Sequence, residues 1–143
     1  MMLVRTRVGP STIHGMGLFA VDTIPRGTPI WRFLPGFDHA FPPADYQALP
    51  EIARDHTRWF CFVSKVDSHV ILSGDHACFI NHHPTPNTGA PAGAPPPVTT
   101  VALRDIAPGE EITCDYWSYD ADTPWKLGLV PRNAPLGSCQ ATP

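Results

Sequence analysis

The sequence lacks the features that mark membrane proteins and nucleic-acid binding proteins. Among its 143 residues, no apolar run approaches the roughly 20 residues that a membrane-spanning helix needs. Ten Lys and Arg residues stand against thirteen Asp and Glu residues, and a net charge of -3 has the wrong sign for neutralising phosphates. No apolar signal region precedes a small-residue cleavage site. We therefore expect a cytoplasmic protein that binds no membrane and no nucleic acid directly, and whose charge suits a basic protein substrate.

Cysteines are few and widely spaced. The four of them lie at positions 61, 78, 114 and 139, so no C-x-x-C pair indicates a structural zinc site or a redox motif. His82 and His83 are adjacent, and in an extended backbone adjacent side chains point to opposite sides. We therefore expect free thiols and no bound metal. A metal-dependent hydrolase that uses the histidines remains an alternative function.

Proline and glycine are abundant. Eighteen prolines and eleven glycines break the chain into short segments, which favours strands and loops over long helices. Residues 43–60 have the one helical pattern, and Pro50 is expected to start a second short helix there. The stretches "WFCFVSKV" and "HVILS" predict a hairpin with a two-residue turn at Asp67 and Ser68. The predicted strands are 3–7, 17–22, 28–33, 59–66, 69–73, 98–103 and 111–116.

Two segments are expected to contain little regular structure. The stretch "TGAPAGAPPP", residues 88–97, lacks backbone donors at its prolines and has almost no side chain to bury. It therefore predicts an exposed loop within one domain. The tail after Trp125 is expected to be irregular.

Three short stretches contain residues suited to a binding or catalytic site. In "IHGMGLFA", Gly15 and Gly17 let the backbone approach a ligand closely, although a turn that only redirects the chain explains the same residues. On the ligand interpretation, Gly17→Val blocks binding and leaves the fold largely intact. In "FINHHPTPN", Asn and His side chains can bond the backbone of a turn that Pro84 and Pro86 stiffen. In "ALRDIAPGEEITCDY", Tyr116 ends an apolar strand, and the nearby acids form a solvated face or attract a cationic peptide.

In this order and at these separations, the three stretches resemble those of a SET domain, the fold of many protein lysine methyltransferases. The resemblance covers residues 5 to about 119. It implies a mainly β fold of several small, curved sheets, with a short helical insert at about 43–60 and a threaded, pseudoknot-like C-terminal segment. It divides the chain into a SET core at 1–119 and a tail at 120–143 that completes the site. The compact length is similar to that of bacterial members of the family.

The resemblance also implies an activity and a set of site residues. The activity is the transfer of methyl groups from S-adenosylmethionine to a lysine side chain of a protein substrate, which leaves S-adenosylhomocysteine. By this resemblance Tyr116 is the catalytic tyrosine, and Trp125 covers the adenine of the cofactor. The implied cofactor-binding residues are Gly15, Met16, Gly17, Asn81, His82 and Trp125, and the implied substrate-channel residues are Cys114, Phe62 and Tyr119.

The sequence departs from the family pattern at three places. His83 and Pro84 follow the Asn-His pair where the family usually has Ser-Cys, and Cys114 stands where Phe or Tyr is common. The cysteine-rich zinc module that follows many SET domains is absent, so the resemblance implies no zinc. These departures keep open a non-catalytic SET-like module that binds S-adenosylmethionine or a basic peptide. A small thiol at Cys114 leaves space for more than one methyl to be added, unless Phe62 fills that space.

Overall fold

Ten short strands form three small sheets in the computed structural model, which describes residues 1–91 and 99–137. Within these residues no strand is longer than five residues, because turns with Pro and Gly interrupt the chain so often. The mainly β architecture expected from the sequence is confirmed. The strands are β1 (Thr6–Pro10), β2 (Met16–Ala20), β3 (Pro29–Arg32), β4 (His39–Phe41), β5 (Cys61–Val63), β6 (Val70–Leu72), β7 (Asn81–His82), β8 (Thr88–Gly89), β9 (Thr99–Ala102) and β10 (Glu111–Cys114).

Strand β10 lies in the middle of the largest sheet, whose order is β1-β2-β10-β7. It runs antiparallel to β2 and parallel to β7, and Thr113 pairs with Asn81. The other two sheets have the orders β3-β9-β8 and β4-β6-β5. The late strand β10 is thus inserted between an early strand and the segment that follows residue 80, which brings all three sequence motifs into one sheet.

Buried apolar residues from the first two sheets form the main core. Ile112 of β10 is fully buried, and the alternation of strand side chains sends it to the core side. Asn87, which directly precedes β8, is also buried and links that strand to β10. Its Oδ1 accepts from Thr113 N over 2.8 Å, and its Nδ2 donates to Glu111 O over 2.7 Å. The core cluster consists of Ala20, Ile24, Ile30, Ala102, Ile106 and Ile112.

The β5–β6 hairpin is confirmed, but the two-residue turn predicted at Asp67 and Ser68 is wrong. Ser64 N donates to His69 O over 2.9 Å, so four residues, 65–68, form the loop. Ser68 adopts a φ of 61°, which closes that loop. Strand β5 ends at Val63 rather than at 66 because the loop begins two residues later, and its outer edge bonds the tail, where Val63 N donates to Asp120 Oδ1 over 2.9 Å.

The predicted helical segment contains two helices, α1 (Pro43–Gln47) and α2 (Glu51–Arg58). Pro50 precedes α2 with a φ of -53°, which suits a helix start, and it has no N–H to continue α1. Tyr46 is buried, and its hydroxyl donates to Arg54 O over 3.0 Å, so it joins the two helices. In the described part of the chain no helix is long and apolar enough to cross a membrane.

Several short elements lie where the sequence predicted loops or a different strand boundary. Strand β1 covers 6–10 rather than 3–7, because Pro10 and Gly9 pair with the start of β2. Strand β8 occupies Thr88–Gly89, and Thr88 is fully buried, so the predicted exposed loop at 88–97 does not begin at 88. Residues 92–98 of that loop lie outside the described residues. The tail contains a short helix, α3 (Thr123–Lys126).

Candidate functional site

Asn81 joins residues 14–17, here called the glycine loop, to the segment that follows residue 80. Its side-chain nitrogen lies 3.1 Å from the carbonyl oxygens of both His14 and Met16, and 2.8 Å from Glu111 Oε1. The predicted cofactor residues Met16 and Asn81 are therefore adjacent, although 65 positions separate them in the sequence. Among the described residues no hydrogen bond reaches Asn81 Oδ1, which leaves this oxygen available as an acceptor.

Glu111 supports the glycine loop from below. Its carboxylate accepts from Ser11 Oγ at 2.9 and 2.8 Å, and Ser11 Oγ in turn accepts from Ile13 N over 2.9 Å. A Cβ atom at Gly17 would lie 2.7 Å from Glu111 Cδ, closer than a real Cβ contact. A side chain at Gly17 must therefore displace the Glu111 carboxylate, which argues against the expectation that Gly17→Val leaves the fold largely intact. Sequence reasoning assigned Glu111 to a solvated face and missed this role.

Gly15 has the open position in the same loop. Its φ is 49°, in the left-handed region that favours glycine, and no atom lies within 4 Å of where a Cβ would be. The neighbouring Met16 is 44% exposed. The loop thus presents its backbone to solvent at Gly15 and packs tightly at Gly17, so the face that a ligand can approach is the one around Gly15.

His82 and Tyr116 connect this loop region to the end of β10. Tyr116 N donates to His82 Nδ1 over 3.2 Å, which assigns the proton of a neutral imidazole to Nε2. The Asp115 carboxylate lies 3.6 Å from the same Nδ1. The structure therefore brings His82, the neighbour of Asn81 in the chain, into contact with Tyr116, and His82 holds the backbone of the residue predicted to be catalytic.

The Tyr116 hydroxyl bonds the backbone of the residue that precedes Asn81. It donates to Ile80 O over 2.7 Å. Burial, followed by the neighbouring Cys114 and Asp120, raises the pKa of Tyr116 far above that of a free tyrosine. The phenol therefore stays protonated at physiological pH, and it can donate or orient but cannot serve as a base.

A pocket of about 350 Å³ opens on the hydroxyl side of Tyr116. Aromatic side chains that contact one another edge-to-face line one wall. The ring centre of Phe62 lies 6.4 Å from that of Trp31 and 5.0 Å from that of Tyr119, and the ring centres of Tyr119 and Tyr116 are 6.2 Å apart. Such a concave, largely apolar cavity is typical of ligand sites. Of the sequence-predicted site residues, Tyr116 and the three channel residues line it, whereas the cofactor residues lie outside its lining. The predicted site thus separates into two faces with Tyr116 between them.

Tyr119 occupies the space beside Cys114. The Cys114 thiol lies 3.1 Å from the Tyr119 hydroxyl. Burial raises the pKa of Cys114 to about 12, so the group is a neutral thiol. Phe62 packs edge-to-face against the Tyr119 ring, with the ring centres 5.0 Å apart. The residue that fills the position left by a small Cys114 is therefore Tyr119.

Trp125 lies in a stack of rings and guanidinium groups. It is 6% exposed, with Trp59 at 4.6 Å, the Arg58 guanidinium at 4.2 Å and the Arg132 guanidinium at 5.3 Å from its ring. Its Nε1 donates to Arg132 O over 3.0 Å. This packing fixes the tail onto α2. That Trp125 covers an adenine stays a prediction, and in this structure its ring does not line the pocket.

Sequence reasoning missed Lys126, which extends from α3 into the pocket lining. Its ammonium lies 2.8 Å from Asp120 Oδ2, donates to Cys61 O, and lies 5.2 Å from the centre of the Tyr116 ring. No local pattern signals this role, because the partner carbonyl is 65 positions away in the sequence.

His83 and Pro84, the two departures from the family pattern that follow His82, do not form a metal site. His83 N donates to Cys114 O over 3.0 Å and so extends the β7–β10 pairing, while its ring nitrogen accepts from Thr85 N over 3.1 Å. His83 is thus a turn residue. Over residues 1–91 and 99–137, no three His, Cys, Asp or Glu side chains are grouped to hold a metal ion.

Comparisons with known proteins give one family and one fold. The SET domain family matches residues 15–117. A Plasmodium falciparum protein assigned as a histone methyltransferase is 18% identical with a TM-score of 0.53, over 80% of this chain and 95% of that one. A humanized Chaetomium thermophilum Polycomb Repressive Complex 2 is 21% identical with a TM-score of 0.54, over 79% of this chain and 15% of that one.

A third structure, ctPRC2 in an autoinhibited conformation bound to S-adenosylmethionine, is 21% identical with a TM-score of 0.59. The match covers 93% of this chain and 17% of that one, so the chain spans about a sixth of the length of that relative. No curated protein matches the sequence. At these identities the solved structures support the fold alone.

Proposed function

The chain belongs to the SET domain family, and on that premise we propose that it is a protein-lysine N-methyltransferase that uses S-adenosylmethionine. The observation that carries this proposal is the position of Tyr116. Its backbone N–H bonds His82, the neighbour of the loop-bound Asn81, and its side chain lines the aromatic pocket with the hydroxyl bonded to Ile80 O. A methyl donor and a lysine amine that approach from opposite sides would meet at this residue.

The glycine-loop face has the chemistry to hold the cofactor. Gly15 leaves open space beside an exposed backbone, and Asn81 Oδ1 is a free acceptor of the kind that an α-ammonium group requires. Gly15, Met16, Asn81 and His82 would hold the group, with Gly17 supporting them from within. When bound, S-adenosylmethionine supplies a methyl group on a positively charged sulfur.

The pocket face has the chemistry to receive the amine. Its aromatic wall excludes water from an extended side chain, and much of the rate of such a displacement comes from alignment and from the exclusion of water. The lysine amine must enter without its proton, because its lone pair forms the new N–C bond as the S–C bond breaks. The methylated ammonium then loses a proton to water. Tyr116, which remains a phenol, orients the amine and the transferring methyl rather than accepting the proton.

The chain's own charge supports a basic protein as the substrate. The net charge is -3 at pH 7, and Asp115 lies in the lining of the pocket next to Tyr116. A segment that presents a lysine among other cations would be attracted to this surface, and the attraction would weaken with salt. The first proteins to test are core histones and ribosomal proteins.

Two variants test the role of Tyr116 directly. Tyr116→Phe removes a hydroxyl that donates to a backbone carbonyl, and Tyr46→Phe is a matched control, since its hydroxyl also donates to a backbone carbonyl but lies away from the pocket. Each variant should lose about 1 kcal/mol of stability. Only Tyr116→Phe should slow methyl transfer, by roughly tenfold to a thousandfold. The rate is measured by intact mass with a methyl-labelled cofactor, and full activity in Tyr116→Phe would contradict the assignment.

The alternative is a SET-like module that binds without catalysis, for which Cys114 and the His83-Pro84 pair are the motivation. His83 keeps its backbone pairing with Cys114, which weakens that motivation. Titration calorimetry distinguishes the two functions. Cofactor binding together with no methyl transfer to histones, ribosomal proteins or any lysate protein would favour the binding module.

A further inference from the structure

Lys126 separates a buried carboxylate from the pocket. Its side chain lines the pocket and is 13% exposed, whereas Asp120 is fully buried and does not reach the lining. The ammonium lies 2.8 Å from Asp120 Oδ2 and also donates to Cys61 O. The positive charge of Lys126 therefore stands between the Asp120 carboxylate and any molecule that enters the pocket.

The two oxygens of Asp120 have unequal partners. Oδ1 accepts from Val63 N and from Asp122 N, both over 2.9 Å. Oδ2 forms no hydrogen bond of ordinary geometry within the described residues, so its close contact with the Lys126 ammonium is a charge pairing. Without that ammonium, Oδ2 would be a buried carboxylate oxygen in need of a cation.

The other titratable groups around Lys126 are neutral or already paired. On β5 and β10, burial raises the pKa of Cys61 to about 11 and that of Cys114 to about 12. Burial likewise raises the pKa values of Tyr116 and Tyr119, and that of Cys78 across the pocket. Asp122 is paired with Arg58 at 2.9 Å. The side chain of Asp115 is 39% exposed at the edge of the pocket and accepts from Trp117 N, so solvent screens its charge.

We propose that Lys126 satisfies Asp120 so that an amine entering the pocket is not held there as an ammonium ion and binds in its neutral form. The relevance of this preference to methyl transfer rests on the proposed function, since only the neutral amine has a free lone pair. The preference itself is a property of the pocket. Lys126 is thus a positioning residue that sets which protonation state of the substrate is bound.

Binding of n-butylamine, the side chain of lysine without its backbone, tests the preference without cofactor or turnover. A free amine of this kind has a pKa of about 10.4, so its neutral fraction rises about tenfold per pH unit between pH 7 and 9. The affinity of the wild-type pocket, measured by NMR titration, should rise with the same slope. A flat profile, or no binding at pH 9, would overturn the proposal.

Three variants locate the preference. Lys126→Met leaves the Asp120 charge unpaired directly behind the pocket wall, so the variant should bind the ammonium form with an affinity that is flat from pH 7 to 9 and higher than wild type at pH 7. Combining it with Asp120→Asn removes both charges and should restore the rising profile. Lys65→Met is a matched control, since Lys65 also bonds a backbone carbonyl, that of Trp117, but lies on the surface. It should behave as wild type.

The outcomes separate this proposal from the proposed function. A rising profile in Lys126→Met, or a flat one in the double variant, would reduce Lys126 to a tether between α3 and β5. If Lys126→Met does not fold, the wild-type and double-variant profiles still decide. Where a rising profile occurs without any methyl transfer, the charge preference holds and the methyltransferase proposal fails. Where transfer occurs, the acidic limb of the kcat profile, which reports the amine in the bound complex, should move up by about one pH unit in Lys126→Met, because the unpaired Asp120 charge then favours the bound ammonium form.

Discussion

Substitution of Gly17 by alanine is a test of how the glycine loop is built. A Cβ atom at this position would lie 2.7 Å from Glu111 Cδ and 3.0 Å from Ser11 Cβ. The Glu111 carboxylate must therefore move, and in moving it loses the hydrogen bonds from Ser11 Oγ and from Asn81 Nδ2. Hydrogen bonds to a charged group contribute about 1.5–3 kcal/mol each, and overpacking costs about 1–3 kcal/mol. Because Glu111 is half-buried, its displaced carboxylate can bond water, which offsets more than half of these losses, and we expect Gly17→Ala to lose roughly 2–4 kcal/mol of stability.

Gly15→Ala is the matched control in the same loop. It meets no atom within 4 Å, so its cost is the left-handed backbone alone, roughly 1–2 kcal/mol. Both values are measured by urea denaturation. Because the expected stability losses of Gly17→Ala and Gly15→Ala meet at about 2 kcal/mol, a double-mutant cycle of each with Glu111→Ala distinguishes the two positions more clearly.

If Glu111 is the obstacle, Gly17→Ala should cost almost nothing further once Glu111 is alanine, whereas Gly15→Ala and Glu111→Ala should be additive. Additive behaviour of Gly17→Ala with Glu111→Ala would refute the packing argument. Gly17 would then be explained only by the need for a ligand to approach the backbone closely.

Two other predictions follow from the pocket and from the surface. Cys114→Tyr should shift products toward monomethyl-lysine in intact-mass measurements, because a phenol there competes with Tyr119 for the space beside the amine; an unchanged product distribution would argue against control by this position. The Arg104 guanidinium, 2.6 Å from the Glu110 carboxylate, is the main cause that lowers the pKa of Glu110. The ionised Glu110 therefore stabilises the fold above its ordinary pKa of 4.5, and this stabilisation is lost as the pH falls through the lower pKa of the folded state. Glu110→Gln should therefore be less stable than wild type at pH 7, with the two denaturation midpoints converging in acid; a constant difference down to pH 2 would contradict the assignment.

The fold was predictable because its motifs are local. Each of the three stretches contains its own turn residues, and together, in this order, they resemble those of the SET domain family, which implies the fold. The two helices at 43–58 were also predictable, since Pro50 ends one helix and starts the next by fixed backbone chemistry. The loop of the β5–β6 hairpin was not, because Ser68 closes it with a φ of 61°, in the left-handed region. That region favours glycine, so a serine does not signal such a turn.

Candidate site residues could be proposed from the sequence, but the residues that support them could not. Asn81, His82 and Tyr116 belong to recognisable stretches, whereas Glu111 and Lys126 derive their roles from single distant contacts. Glu111 bonds Ser11 across 100 positions, and Lys126 bonds Cys61 O across 65. Nothing in the sequence around Glu111 distinguishes it from Glu110, which pairs with Arg104 at the surface. The spatial partner, rather than the residue type, decides whether such an acid supports a site.

The departures from the family pattern differ in consequence for the same reason. His83 replaces a family residue, yet the contact that matters there is its backbone N–H to Cys114 O, which every residue except proline can make. Its side chain turns toward Thr85, outside the pocket lining. Cys114, in contrast, contributes its side chain to the lining, and its small volume admits the Tyr119 hydroxyl. A change at 83 should therefore leave the chemistry intact, whereas a change at 114 should alter which products the pocket permits.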